Sequence, residues 1–339
     1  MKEYTISAKQ AGQKMRKFVV RILKEASAGF AYKMLRKKNI VLNGKKASGD
    51  EILSEGDRVT FYLSDETFAK FAGTQVSAQA EPAVKRADFF LPVIYEDENI
   101  LLYNKPVGVL SQKAERSDYS ANEYFIDYLL ESGQLTGQEL AVLKPSVCNR
   151  LDRNTSGLLI CGKTMAGLKA MNRMLKERSV RKDYQCMVLG TVREGFALHG
   201  YLHKDERTNK VTVHKEPAEG TQEIHTELTP LKAFRISLEG RSIELSLLSI
   251  HLITGKPHQI RAHLASIGHP IVGDYKYGNR PVNDVFKRSY GIASQLLHAY
   301  RLQFPVLDGE LASLSGKEFI APLPDTFALL LEQACNEKR

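Results

Sequence analysis

Cysteine is scarce: Cys148, Cys161, Cys186 and Cys335 are the only four, far apart and without a CxxC pair. That spacing excludes a disulfide framework or a thiolate zinc site, and reduced core thiols are expected. No run reaches the ~18 apolar residues of a membrane span, and the start MKEYTISAKQ lacks the apolar stretch of a signal peptide. A cytoplasmic protein without membrane contact is expected. Phosphate-cradling loops are also missing. There is no GxxxxGK[ST], no GxGxxG follows a strand, and GKTM at 162–165 has its upstream glycine in the wrong place. Nucleotide hydrolysis and dinucleotide redox chemistry lose their usual markers. The nine histidines contain no HExxH; His258 and His263 in HQIRAH are five apart, which on a helix turns them off a shared face. No metal is expected.

What is present is length, apolar content and an uneven charge. The 339 residues, 43% hydrophobic, can supply two cores. Of the formal charge of +9, residues 1–64 hold +8, with fourteen Lys or Arg against six Asp or Glu. A basic appendage on a nearly neutral body suits a polyanion, because neutralising phosphates releases counterions.

In that segment MRKFVVRILKEASA sets Phe18, Val19, Ile22, Leu23 and Ala26 at helical spacing, and GFAYKMLRKKN fits a second helix. IVLNGKKA carries Asn43-Gly44, a strong hairpin signal, and SEGDRVTFYL a turn and a strand. From residue 65 to 88 the composition shifts to Ala, Ser, Thr, Gln and Glu with Pro82, which reads as a linker. Beyond it, VIYEDENILLYNKP, DYQCMVLG and the alternating SIELSLLSI read as strands, with helices at ANEYFIDYLLESG and TMAGLKAMNRMLKERS. Strands and helices mixed without regular alternation predict an α+β fold with a largely antiparallel sheet.

NRLDRNTSGLL at 149–159 places Asp152 between Arg150 and Arg153. Opposite charge favours the anionic form, which suits a nucleophile or an electrostatic stabiliser and not a general acid. A glycosidase needs a second carboxylate, and none stands at an equivalent motif. Taken alone, the stretch reads as a turn through Asn154-Thr155-Ser156-Gly157 with the aspartate holding an arginine.

Four further stretches accompany it: NKPVGVLS at 104–111, VRKDYQCMVLG at 180–190, HLITGKPHQIRAHLASIGHPIVGDYKYG at 251–278 and LLHAYRLQFP at 296–305. Together the five resemble the RluA family of pseudouridine synthases over residues 93 to about 305. KMLRKKNIVLNGKKASGDEILSEGDRV resembles the S-four type RNA-binding domain with its alpha-L motif. The resemblance implies three segments: an S-four type domain at 1–64, a linker at 65–88, and a catalytic domain at 89–330 with a mixed, largely antiparallel sheet and a central cleft. It implies an enzyme that detaches uracil from ribose, rotates it and rejoins it through carbon, without metal or organic cofactor.

By motif position the essential aspartate is Asp152, which either attacks the uracil ring or the ribose, or removes a sugar proton toward a glycal. Tyr184 is implied to stack on the base, Arg261 to pair with the aspartate, and Arg150 to enter the RNA as the uridine is displaced. Lys33, Arg36, Lys37, Lys38, Lys45 and Lys46 fall to phosphate contacts. Lys105, Pro106 and Gly108 are expected to buttress the catalytic loop. Thr254, Gly255, His258 and Gln259 are expected to deliver Arg261, and Asp274 and Tyr275 to pack near the cleft. Asn149 and Lys256 stand where the family usually has His and Arg, and RLQFPVLDG replaces a His-Pro. An S-four domain ahead of such a catalytic domain implies large-subunit ribosomal RNA as partner. A monomer is expected. The alternatives are an RNA-binding assembly factor without catalysis and a nucleoside or glycoside hydrolase.

Overall fold

A computed structural model describes residues 1–73 and 88–336. The first stretch contains β1 (Lys2–Thr5), α1 (Met15–Ile22), α2 (Ala28–Arg36), β2 (Ile40–Leu42), β3 (Lys45–Lys46), β4 (Arg58–Phe61) and α3 (Asp65–Ala72). Its four strands form an antiparallel sheet in the order β1-β4-β2-β3. α1 buries Met15, Phe18, Val19 and Ile22, the one-face spacing of a 3.6-residue period. Ser27 starts α2 by accepting from the Phe30 N–H. Asn43 and Gly44 both have positive φ, 50° and 74°, the tight turn whose twist matches a two-stranded ribbon.

Residues 65–72, expected to be the start of a linker, form a helix. The Ser64 hydroxyl accepts from Thr67 N–H, Asp65 and Glu66 occupy the first turn, and the resulting α3 buries Phe68 and Ala72 in the core of Phe18, Leu35, Ile40 and Phe61. Residues 74–87, the rest of that Ala/Ser/Gln-rich stretch, lie outside the described residues.

The second stretch runs β5 (Val93–Glu96), β6 (Ile100–Lys105), α4 (Ala121–Glu131), α5 (Gly137–Val142), β7 (Ser146–Val147), β8 (Ser156–Gly162), α6 (Met165–Glu177), β9 (Arg181–Leu189), β10 (Phe196–Asp205), β11 (Lys210–His214), β12 (Gln222–Leu238), β13 (Arg241–Leu252), α7 (Gln259–Ser266), α8 (Arg280–Tyr290), β14 (Leu297–Gln303), β15 (Glu318–Ile320) and α9 (Asp325–Asn336). The strands make one eleven-stranded sheet in the order β11-β10-β12-β13-β9-β14-β8-β6-β5, with β15 on β14 and β7 on β8. Every pairing is antiparallel except β8 with β14. The fold is thus α+β with a mixed, largely antiparallel sheet.

Helices cover both faces of the centre, which is why β8 is buried at all seven positions. Leu159 and Cys161 pack with Phe125 and Leu129 of α4, while Leu158 and Ile160 pack with Met171 and Met174 of α6. Further along, Tyr184, Cys186 and Val188 face Ile260 and Leu264 of α7, and Met187 and Leu245 face Phe286 of α8 and Phe327 of α9. α9 continues past the expected boundary at 330, held by Phe327 and Leu330. The SIELSLLSI alternation breaks at Ser246, fully buried, whose hydroxyl donates to Gly190 O and accepts from Val192 N–H, both at 2.9 Å. Cys148, Cys161 and Cys186 are free thiols, with Cys161 and Cys186 fully buried.

The two parts touch through α5 and α6. Val142 belongs to the core under α1, Arg21 donates to Val142 O (2.9 Å), Lys9 to Gln134 O (2.5 Å), and Lys169 to Gly12 O.

Candidate active site

Asp152 lies on the loop between β7 and β8, and that loop is tied at several points. Ser111 Oγ accepts from Leu151 N–H (3.0 Å) and donates to Leu151 O (2.9 Å). Thr155 N–H closes the turn on Asp152 O (3.0 Å). Asn149 stitches the loop base to β8, accepting from Ile160 N–H (2.7 Å) and donating to Leu158 O (3.3 Å). An imidazole offers the same one donor and one acceptor, so Asn149 can fill a histidine's place there. Gly157, at φ +110°, follows because β8 must run against β14: a Cβ there would sit 2.2 Å from Ala299 O.

Lys105 supports the same loop from beneath. It is fully buried and its ammonium donates to Val109 O (2.8 Å), Pro106 O (2.9 Å) and Arg153 O (3.2 Å). Burial lowers its pKa to about 7, against the pull of the Asp152 charge. Gly108 N–H adds a bond to Arg153 O at 2.9 Å.

α7 brings Arg261 to the aspartate. Its Nη1 donates to Asp152 Oδ2 (2.8 Å), while Nε and Nη2 form a two-pronged pair with Asp274 (2.7 and 2.9 Å). The Asp152 side chain is therefore bound by neither flanking arginine, as the turn reading would have had it. Asp274 has no exposure, Arg261 has 9%, and Asp152 has 29%, so one guanidinium bridges a sealed carboxylate and an accessible one. Burial would lower the guanidinium's pKa, but Asp274 and then Asp152 outweigh it and hold it above its usual value. Asp274 Oδ1 also accepts from Lys276 N–H (2.9 Å) and Tyr277 N–H (3.1 Å). The Tyr277 ring lies under the guanidinium, 5.2 Å to its centroid.

The helix start that carries Arg261 is clamped to β12. Gln259 accepts from Thr254 Oγ1 (2.8 Å) and donates to His225 O (3.0 Å) and Thr226 Oγ1 (2.9 Å). His258 caps it in the left-handed conformation, φ 55°. Its Nδ1 is 2.8 Å from the Tyr277 phenol, which already accepts from Val211 N–H. Its Nε2 lies 3.9 Å from Asp152 Oδ2. Burial, with the charges of Arg261 and Lys276, lowers this histidine's pKa against the pull of Asp152.

These groups open into a cleft of about 800 Å³ over β9 and β14, lined by Asp152, Arg150, Tyr184, Lys256, Arg261 and Leu297 among others. Tyr184 is 8% exposed. Burial, then the Asp152 charge, pushes its phenol well above the ordinary value. Arg150 is exposed at the rim. Among the described residues no group of three or more His, Cys, Asp or Glu is disposed to hold a metal ion, and no helix is long and apolar enough to cross a membrane.

Of the six cations singled out near the N-terminus, Lys33, Arg36 and Lys46 line one groove of about 590 Å³ with Gly29, Tyr32, Ala47 and Ser48. Lys37, Lys38 and Lys45 are exposed outside it.

Sequence reasoning gave Asp274 only a packing role and missed the Ser111 and Tyr277 contacts. One signal was available: a guanidinium has five donors, more than one aspartate can use, so further acceptors near HQIRAH were to be sought, and the acid of GDYKYG is one. Tyr275, named beside Asp274, is exposed and donates to Asp284 (3.0 Å).

A fold with this sheet, and a cleft holding Asp, Tyr and Arg on three separate elements, defines a class that comparison with known proteins specifies. The family model described as RNA pseudouridylate synthase matches residues 99–266, which include Asp152, Tyr184 and Arg261. The chain belongs to that family, the isomerases that convert uridine in RNA to pseudouridine. An uncharacterized RNA pseudouridine synthase of Mycoplasma pneumoniae is 29% identical over 323 residues, 94% of each chain. Ribosomal large subunit pseudouridine synthase C of Haemophilus ducreyi is 28% identical over 312 residues, 89% of this chain and 87% of that one. The solved human RNA pseudouridylate synthase domain containing 4 shares the fold, with a TM-score of 0.53 at 19% identity over 72% of this chain and 92% of that one.

Proposed function

We propose that this enzyme isomerises uridine in large-subunit ribosomal RNA, as a cytoplasmic monomer, with Asp152, Tyr184 and Arg261 as its catalytic residues. The observation that carries the assignment is the Arg261 bridge. A guanidinium locked onto sealed Asp274 offers its remaining prong to Asp152, fixing the orientation of that carboxylate at the cleft. The reaction breaks the N1–C1′ bond and forms C5–C1′, and a proton leaves C5 while N1 gains one. An oriented carboxylate serves either opening step, attack on the ring or ribose or removal of a sugar proton.

Tyr184 supplies an aromatic face for the extruded base, since an unstacked base presents its own π-face. A tyrosine phenol is already protonated at neutral pH, and burial here raises its pKa further, so deprotonation is disfavoured and stacking is its resting role. Arg150 at the rim enters the RNA as the uridine leaves the stack. Residues 1–64 act as an S-four type RNA-binding domain, with Lys33, Arg36 and Lys46 in its groove and Lys37, Lys38 and Lys45 beside it, and α3 attaches to it. The ribosomal substrate is supported by that appended basic domain and by similarity to a large-subunit synthase along most of both chains.

The test is Asp152→Asn with large-subunit ribosomal RNA from cells lacking the protein. Nucleoside chromatography should show no pseudouridine formed, while filter binding of the RNA stays within about threefold of wild type. Turnover by the variant at the wild-type rate refutes the assignment. Release of free uracil by the wild type would identify a hydrolase instead.

A further inference from the structure

The cleft wall beside Tyr184 carries cations that the Asp–Tyr–Arg arrangement does not use. Lys182 precedes Tyr184 by two residues on β9, so both side chains leave the same face of the strand. Lys176 and Arg178 come from the last turn and the cap of α6, and all three residues line the cleft. The one carboxylate lining that cleft, Asp152, is taken by Arg261. Among the described residues none of the three cations has an ion-pair partner.

Two features set this wall apart from an ordinary basic surface. Lys182 is half-buried, and burial, then the neighbouring Arg178 charge, lowers its pKa. Like charges are thus held together with no acidic side chain among the described residues paired to them. Arg178 also occupies a left-handed position, φ 61° and ψ 26°, just past the end of α6. α3 and α8 close in the same conformation with Gly73 and Gly291, the residue that carries no Cβ penalty there. The negative end of a helix dipole accounts for Lys176. It does not account for an arginine where glycine is the default, nor for a half-sealed lysine from the adjoining strand.

We propose that Lys176, Arg178 and Lys182 form a phosphate-binding subsite that grips the RNA backbone beside the uridine extruded onto Tyr184. This rests on the reading of the cleft given above. The guanidinium offers two parallel N–H donors to non-bridging oxygens and the lysines add point charge. With the base held by Tyr184 and its backbone held here, the extruded nucleotide is anchored at two points, which adds to binding of the RNA.

The experiment measures pseudouridine formation in large-subunit ribosomal RNA from cells lacking the protein, for wild type, Arg178→Gly, Arg178→Lys and Lys182→Met, across a KCl series. Arg178→Gly relieves the backbone, so its unfolding midpoint should equal or exceed wild type. Its KM should nonetheless rise about tenfold, the scale of one charge-assisted hydrogen bond, with kcat within about twofold. The slope of log(kcat/KM) against log[KCl] should flatten by about 0.7 for each phosphate that is no longer neutralised. Arg178→Lys should recover most of the KM, and Lys182→Met should repeat the slope change. Wild-type KM and salt slope in Arg178→Gly, or a weakening that follows a lowered unfolding midpoint with no slope change, overturns the subsite. If wild type forms no pseudouridine, the isomerase reading fails separately. Filter binding of the same RNA then decides the subsite: a flattened salt slope in Arg178→Gly and Lys182→Met supports it, and an unchanged slope overturns it.

Discussion

Arg261→Met removes the bridging guanidinium while keeping most of the side-chain volume. Asp274, without exposure, is then left with the N–H groups of Lys276 and Tyr277 and no counter-charge. Breaking a buried pair from one side costs ~3–5 kcal/mol. Asp274→Asn keeps an acceptor for those two N–H groups and leaves Arg261 one anion, Asp152, so its cost should be roughly 1.5–3 kcal/mol, the scale of a hydrogen bond to a charged group. The double variant carries no stranded charge. It should therefore be about 1–2 kcal/mol more stable than Arg261→Met alone, well short of the sum of the two single costs. Urea unfolding midpoints of the four proteins at pH 7 read this directly. Costs that simply add in the double variant would refute the claim that the two residues act as one buried unit. Activity should not follow stability, because Asp152 loses its Nη1 donor in both variants that lack the arginine. The pH dependence supplies a second check. In the wild type Arg261 outweighs the effect of burial and holds Asp274 below the usual carboxylate range. That stabilisation is full above about pH 4 and is lost as pH falls through the folded-state value, so the gap to Arg261→Met should narrow in acid.

Gly157→Ala should lower the yield of folded protein or cost more than about 3 kcal/mol in urea, because its Cβ would meet the Ala299 backbone at 2.2 Å; wild-type stability would show that β8 and β14 can part without penalty. Lys105→Met leaves Val109 O and Pro106 O without their buried donor and should cost roughly 1–3 kcal/mol, with kcat reduced more than KM is raised. Loss of kcat should exceed what the unfolded fraction explains; unchanged kcat would mean the Asp152 loop holds its geometry unaided. His298, fully buried, has its pKa lowered by burial to about 4 despite the Ala321 carbonyl, so wild-type stability should decline as pH falls from about 6.5 to 4. His298→Asn should remove about one proton's worth, ~1.4 kcal/mol per pH unit, from that slope in urea titrations. An unaltered slope would assign the acid sensitivity to other groups.

Local chemistry made much of the fold legible. The Phe18-Val19-Ile22 spacing, the Asn43-Gly44 turn and the alternating strands each express a period or a backbone preference that a few adjacent residues decide. The start of α3 was less so, because its Ser64 cap and its buried Phe68 and Ala72 sit in a stretch whose overall composition is that of a linker. Asp152, Tyr184 and Arg261 could be picked out through five ordered motifs, yet the distance between them could not. It depends on α7 being clamped to β12 and on Asp274 taking two of the guanidinium's donors, interactions between segments far apart along the chain. Asp274 was misjudged for that reason: an acid in GDYKYG shows nothing locally of the arginine it seals. Lys182 and Arg178 are similar, since a left-handed arginine cannot be told from a helical one by composition.

The single parallel pairing in the large sheet also orders events during synthesis. Ser156 and His298, bonded to one another across it, are 142 positions apart. At a synthesis rate of about 5–20 residues per second, β8 emerges ~7–28 s before the strand that completes its far side. For that interval a strand destined to be buried at every position waits without its neighbour, beside a loop whose aspartate has not yet met its arginine. β8 therefore keeps one open edge until about nine-tenths of the chain has been made, and the strand that closes it is nearly the last of the sheet to be synthesised.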